Sequence, residues 1–126
     1  MSSIAGIQGS GFLSTYAATK AFNRILAEGL WYEWKNKGVD VIACCAGATL
    51  TPNYINTKPQ KISFAAPKAQ KPEQVVEECL NKLGKVPSFV SGTGNKIATL
   101  FMSLMSRKHA VNLMGDSARK MYGFKG

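Results

Sequence analysis

Residues 39–45, Val-Asp-Val-Ile-Ala-Cys-Cys, constrain the fold of this 126-residue chain more than any other segment. The run follows a glycine at position 38 and leads directly into Ala46-Gly47. With Asp40 its only charge, it reads as a strand buried on both faces, and such strands belong to parallel sheets covered by helices. Parallel strands need long crossover connections, usually helical. The chain supplies them. Over residues 12–37, Tyr16, Phe22, Ile25, Leu26, Leu30, Trp31 and Trp34 fall near helical spacing, and Asn36-Lys37-Gly38 gives a basic last turn and a stop. A second helix is expected over residues 71–83, with Pro72 at its start, Val75, Val76, Cys79, Leu80 and Leu83 as its apolar stripe, and Gly84 as its end. A short strand at 88–90 follows, then helical patterns over 96–105 and 110–121 and a glycine-bearing tail.

Residues 1–11 hold three glycines within positions 6–11 and read as a loop. Residues 46–70, with Pro52, Pro59 and Pro67, read as one connection far longer than usual, of the kind that closes over substrates. Helices alternating with strands predict an α/β layer architecture with a parallel sheet. Two clear strands are fewer than a free-standing parallel sheet requires, so the chain reads as the end of a sheet.

An apolar content of 45% with 18% charged residues is that of one ordinary folded domain. No stretch approaches the roughly 18 uninterrupted apolar residues of a membrane span. The best candidate, 97–105, contains Thr99 and Ser103. No leader pattern opens the sequence, and a cytoplasmic location is expected. Cys44, Cys45 and Cys79 form no metal-ligand or disulfide spacing. His109, the one histidine, sits beside Arg107 and Lys108, where a catalytic triad is not expected. Residues 1–57 carry 4 Lys/Arg against 3 Asp/Glu, and residues 58–126 carry 12 against 4. That excess reads as a solvated face, with an anionic lipid surface or an acyl-CoA-type polyanion as further readings. Nucleic acid is not expected as a partner, because no finger, RNP or basic-heptad pattern accompanies the charge.

Tyr16 and Lys20 stand four residues apart near the start of the long helix, which places a phenol and an amine on one face. A nearby ammonium favours the ionised phenol, as general acid/base work requires. Tyr54 and Lys58 share the spacing, but they lie between Pro52 and Pro59, where a helix is not expected. Thirteen residues before Tyr16 stands Ser3, on the edge of the glycine-rich segment. Val41 occupies the corresponding place before Tyr54.

These residues resemble the short-chain dehydrogenases/reductases. Ser2-Ser3-Ile4-Ala5-Gly6 is similar to the family's serine segment at the end of its fifth strand, and Tyr16-Ala17-Ala18-Thr19-Lys20-Ala21 to its Tyr-x-Ala-Ser-Lys-Ala helix. The segment Val41 to Thr51 resembles the sixth strand and its Pro-Gly-x-x-x-Thr exit, with Ala46 in place of proline. The resemblance implies the C-terminal part of a Rossmann-type doubly wound parallel sheet and interconversion of a carbonyl and an alcohol with NAD or NADP. Tyr16 would then be the proton donor, Lys20 its partner and a ribose ligand, and Ser3 the holder of the substrate oxygen. Gly47, Ala48 and Thr51 would meet the nicotinamide. The tail resembles the branch of 3-oxoacyl-CoA and 17-beta-hydroxysteroid reductases, which implies a lipid-like ketone. Met102, Met105, Met114 and Met121 read as core filler before a lipid-facing surface.

On this reading residues 1–38 are the catalytic loop and helix, 39–52 the strand and cofactor-side turn, 53–70 the substrate loop, and 71–126 the C-terminal helices and last strand. The family's phosphate-binding turn and helix asparagine are not found. Gly6-x-x-Gly9-x-Gly11 and Gly92-x-Gly94 do not meet the dinucleotide fingerprint. The chain therefore reads as the C-terminal portion of a reductase whose fifth strand is cut away, leaving Ser3 without support and residues 39–45 with a bare flank. The alternative is a catalytically inactive subunit that self-associates or pairs through the helix at 12–37.

Overall fold

A computed structural model describes residues 1–60 and 67–125. Its centre is a parallel sheet of three strands in the order β1 (Ser2–Ser3), β2 (Ala43–Ala46) and β3 (Ser88–Val90). Ser2 lies opposite Cys45 and Ser3 opposite Ala46, while Ala43, Cys44 and Cys45 lie opposite Ser88, Phe89 and Val90. The serine segment is thus a third strand rather than an unsupported end, and Ser2 and Ser3 are both buried. The flank of β2 is paired at its carboxyl end on both edges.

All four residues of β2 are buried, as expected for a strand with neighbours on both sides and cover on both faces. The strand is shorter than the apolar run. On the β3 side Pro87 has no N–H to donate, so the ladder opens at Ser88. On the β1 side Ser2 already stands opposite Cys45, so no described residue reaches back beside Val39, which is exposed.

Helix α1 (Ser14–Trp34) covers one face. The Ser2 hydroxyl donates to the Lys20 carbonyl at 2.7 Å and the Ser88 hydroxyl to Glu28 Oε1 at 2.6 Å. The helix is shorter than the expected 12–37 because Phe12 has φ +63 and Gly38 φ +73, left-handed positions that bracket it. The side turned to the sheet carries the Arg24–Glu28 pair at 3.5 Å, whereas Phe22, Ile25, Leu26 and Tyr32 are exposed. The serine hydroxyls beneath the helix need polar partners, which the apolar stripe could not supply.

Helix α2 (Pro52–Asn56) interrupts the expected long loop, and α3 (Pro72–Lys82) covers the second face. There Val75 packs with Cys44 and Ala46, and Cys79 and Phe89 close the cluster. Both crossovers, β1–α1–β2 and β2–α3–β3, step the same way along the sheet. Helices on opposite faces therefore give the crossovers opposite hands, and one belongs to the rare left-handed minority. Helices α4 (Thr93–Ser103) and α5 (Arg107–Tyr122) each begin three residues before their expected starts. For α5 the Ser106 hydroxyl accepts from the His109 N–H and lies 2.6 Å from that ring's Nδ1. Met102 is buried and Met105, Met114 and Met121 are half-buried, so the methionines fill gaps, whereas Ile97, Leu100, Phe101 and Leu104 line the exposed side of α4. No described helix is long and apolar enough to cross a membrane.

Candidate active site

Ser3 ends β1, and its Oγ accepts the Ala5 N–H at 3.2 Å, capping the single 3-10 turn Ile4–Gly6. That bond uses an oxygen lone pair and leaves the hydroxyl hydrogen available to a substrate oxygen. The turn rests directly on α1. A Cβ at Gly6 would stand 2.7 Å from the Lys20 carbonyl carbon and the Ala21 nitrogen. Only glycine allows that approach, and with the Ser2–Lys20 bond it fixes the serine segment against the helix one turn beyond Tyr16.

Tyr16 lies in the first turns of α1 and is 48% exposed, so its phenol can meet a ligand. Lys20 Nζ is 5.6 Å from the centre of that ring and donates to the Met1 carbonyl at 3.5 Å. Asn23 Nδ2 donates to the same carbonyl at 3.4 Å. Ser3, Tyr16 and Lys20 therefore share one corner, where β1 passes into α1.

The turn after β2 forms the other side. Thr51 Oγ1 accepts the Tyr54 N–H at 3.3 Å and caps α2, where Pro52 occupies the first helical position. Proline is tolerated there because that N–H has no helical partner in any case, so Tyr54 is helical, contrary to expectation. Lys58 falls past the helix at φ +46, and the Tyr54–Lys58 pair still shares no helix face. Gln70 and the turn exchange backbone bonds: its N–H reaches the Ala48 carbonyl at 2.9 Å, and its carbonyl accepts from Leu50 at 2.9 Å. Gly47 lies so close to the Asn95 amide that a Cβ would collide with it.

Behind this turn is a polar clasp that sequence reasoning missed. Gln70 Oε1 accepts from the Ser91 hydroxyl at 3.3 Å and from Asn95 Nδ2 at 3.4 Å, while its Nε2 donates to Glu78 Oε1 at 3.3 Å. Glu78 Oε2 accepts the Gly92 N–H at 3.0 Å. Ser91 and Asn95 are buried. The four side chains come from different elements, and no spacing in the sequence marks them. A cleft of about 320 Å³ opens beside them.

The glycine pairs rejected as dinucleotide fingerprints are filled by protein. Val111 and Gly115 of α5 lie 3.5 and 3.4 Å from the Cβ positions of Gly9 and Gly11, and Gln70 lies 2.7 Å from that of Gly92. Burial pushes the Cys44 thiol up to about 12, with Cys79 adding to it, and also raises Cys45. Both shifts favour the protonated thiol over the nucleophilic thiolate. Among the described residues no group of His, Cys, Asp and Glu could hold a metal ion. Burial raises the Tyr122 phenol as well, and the neighbouring phenols of Tyr54 and Tyr16 add to the effect.

Residues 1–62 match the family model described as short chain dehydrogenase. A 7beta-hydroxysteroid dehydrogenase of Clostridium sardiniense is 32% identical over 113 residues, 90% of this chain and 43% of that protein. One from Mediterraneibacter gnavus is 39% identical over 98 residues, 76% of this chain and 37% of that protein. A very-long-chain 3-oxoacyl-CoA reductase of Anas platyrhynchos is 33% identical over 84 residues, 67% of this chain and 25% of that protein. A solved structure from work on 7beta-hydroxysteroid dehydrogenase stereoselectivity superposes with a TM-score of 0.79 at 32% identity, covering 90% of this chain and 45% of that one. The chain spans less than half the length of the curated relatives it matches. The three-stranded parallel sheet with its flanking helices agrees with these likenesses, and the chain belongs to the short-chain dehydrogenase family of oxidoreductases.

Proposed function

We propose that this chain supplies the proton-transfer and substrate half of a reductase that interconverts a ketone and an alcohol with NAD or NADP, on a lipid-like substrate. The observation that carries the reading is the packing of the Ser3 turn on α1 at Lys20 and Ala21, beside Tyr16. The cofactor supplies the hydride when bound. Ser3 donates its free hydroxyl hydrogen to the ketone oxygen and orients it. Tyr16 transfers its phenolic proton to that oxygen, and Lys20 holds positive charge beside the phenolate left behind. In the reverse direction the phenolate takes the alcohol proton. Lys20, Thr51 and the backbone at Gly47 and Ala48 fit the nicotinamide-ribose end of the cofactor. Thr51 accepts its capping bond through oxygen and keeps its hydrogen for a carboxamide. None of the described glycines offers an open cradle for the pyrophosphate after a strand. On this division residues 1–38 carry catalysis, 39–52 the cofactor-side turn and 71–126 the C-terminal helices and last strand. Residues 53–70 form the substrate loop, of which 61–66 lie outside the described residues.

The test is ketone-dependent oxidation of NADH or NADPH by the chain alone and by the chain joined to the cofactor-binding half of a relative. The expected result is activity in the joined protein only, reduced by a factor on the order of 100 or more in Tyr16→Phe. A folded, joined protein that is inert, or a Tyr16→Phe variant as active as its parent, sinks the reading.

The exposed stripe Phe22, Ile25, Leu26 and Tyr32 on α1 favours a second reading, an inactive pairing subunit. Sedimentation velocity separates the two. A dimer dispersed by Ile25→Asp, together with an inert joined protein, would favour the pairing subunit.

A further inference from the structure

Helices α1, α3 and α4 each leave large apolar side chains in water, and the charges that share those faces differ. On α1 Phe22, Ile25, Leu26 and Tyr32 are exposed, and Glu33 falls seven residues after Leu26 on the same stripe. On α3 Val76 and Leu80 border an open groove of about 570 Å³ that Glu73 and Glu77 also line. The face of α4 carries no carboxylate. Ile97, Leu100, Phe101 and Leu104 stand on it at the spacing of one helical ridge and are 64–80% exposed. The opposite side of the helix is already packed: Asn95 and Met102 are buried, and Asn95 Nδ2 donates to the Ser91 carbonyl at 2.8 Å. Helix α4 is therefore apolar on two sides, as helices with cover on both sides are, and one side is bare.

Charge selects the cover. Residues 79–115 hold five Lys/Arg and no Asp or Glu, and the whole chain carries +9. Lys96 sits on α4 about 100° round the axis from Ile97, at the border of the ridge; it reaches back to Glu78 at 3.8 Å with half of its side chain still in water. Lys108 lies on α5 two residues before the buried Ala110, hence on the outward side of that helix. Two ridges packed antiparallel would set Lys96 of one copy toward Arg107 and Lys108 of the other, like charge against like. A ridge laid in the acidic groove of α3 of another copy would join opposite charges, but that groove offers Val76 and Leu80 to four ridge residues, and a head-to-tail contact of this kind does not close. An anionic bilayer supplies negative charge and an apolar layer that imposes no shape on what enters it.

We infer that α4 seats the chain on an anionic lipid surface: the helix lies in the plane of the interface, Ile97, Leu100, Phe101 and Leu104 enter the boundary between headgroups and acyl chains, and the basic charge of residues 79–115 meets the lipid phosphates. Such docking needs no membrane-crossing helix, and it does not depend on the reductase reading.

The experiment is co-sedimentation of the full chain with vesicles of phosphatidylcholine alone and of phosphatidylcholine with about one-third phosphatidylglycerol, over a range of salt. The expected result is binding to the anionic vesicles on the order of tenfold tighter or more, an advantage that shrinks as salt rises. Phe101→Glu weakens that binding about tenfold or more, whereas Ile25→Glu on the α1 stripe leaves it unchanged. Lys108→Gln weakens binding to the anionic vesicles about fivefold and leaves the neutral ones alone. Leu104→Ser, at the 80%-exposed position just past the helix, reports on the ridge even if Phe101→Glu fails to fold. Equal binding to the two vesicle types, no binding to either, or release by Ile25→Glu rather than by the ridge variants would each overturn the inference. So would a chain that ignores vesicles but self-associates in sedimentation velocity until Leu104→Ser disperses it, which would make a second copy the cover of α4.

Discussion

Replacing Gly6 by alanine tests whether the serine turn is seated on the helix as described. The new Cβ would stand 2.7 Å from two backbone atoms of α1 and 3.0 Å from Lys20 Cβ. A flexible side chain could rotate away from such a contact, but a helix backbone cannot, so the turn or the helix must shift by several tenths of an ångström. Overpacking of this kind costs about 1–3 kcal/mol, and the rigid neighbours place Gly6→Ala toward the upper end. With roughly 4 °C of melting temperature per kcal/mol for a chain of this size, thermal unfolding followed by far-ultraviolet circular dichroism should drop by about 10 °C. Gly29→Ala is the matched control. Gly29 lies inside α1 with nothing within 4 Å of its Cβ position, so the same substitution should raise stability by about 0.5–1 kcal/mol through helix propensity. Equal effects at the two glycines, or a Gly6→Ala protein that melts with its parent, would refute the claim that close approach seats the serine turn on α1 at Lys20 and Ala21.

Thr51→Val keeps the side chain's shape but removes the oxygen that caps α2, and should cost about 1 kcal/mol in urea unfolding. Glu78→Ala strands the Gly92 N–H and the Gln70 amide, with an expected loss of about 1–3 kcal/mol. Glu78→Gln keeps one of the two acceptors and sets its N–H against a donor at the other, so it should lose part of that amount, with a partly exposed contact to Lys96 adding less than about 1 kcal/mol. Stability should also fall under alkali. Below the ordinary thiol value of 9.0 Cys44 is protonated in both states and contributes no pH dependence; between there and about 12 only the unfolded chain has lost the proton. Unfolding then releases a proton, and stability declines by up to about 1.4 kcal/mol per pH unit. Urea midpoints measured near pH 8 and pH 10 should converge in Cys44→Ala, apart from the smaller share of Cys45.

Layer type, parallel pairing of the second and third strands, and the three later helices were legible because each rests on local chemistry: a charge-poor run, a proline start, a glycine stop. The first strand was not, since two serines carry no apolar signal and become a strand only through Cys45 and Ala46 beside them. Which face of α1 meets the sheet was not legible for a related reason. Periodicity located its apolar stripe, but Ser2 and Ser88 beneath the helix required the Lys20 carbonyl and Glu28, and that demand is invisible until the sheet exists. In the proposed site, Ser3, Tyr16 and Lys20 could be put forward from their spacing along one segment. The Gln70–Glu78–Ser91–Asn95 clasp and the Tyr122 neighbourhood were not, because each joins residues far apart in the chain.

The hands of the crossovers bear on where the proposed site lies. Ligands of open α/β sheets bind at the carboxyl ends of strands, in the crevice formed where neighbouring connections leave to opposite faces. That condition usually arises where the strand order reverses. Here the order runs β1, β2, β3 without reversal, yet β1 leads to α1 on one face and β2 to α3 on the other. The change of crossover hand thus sends the connections after Ser3 and after Gly47 to opposite faces. The two sides of the proposed site follow from it, with the proton-transfer residues on the α1 side and the cofactor-side turn on the other. Had α3 packed on the α1 face, Gly47–Thr51 would leave the sheet alongside the serine turn and no gap would separate them. The left-handed minority connection therefore sets the two sides of the proposed site apart, and the Gln70 clasp anchors the cofactor-side turn to α3 and α4.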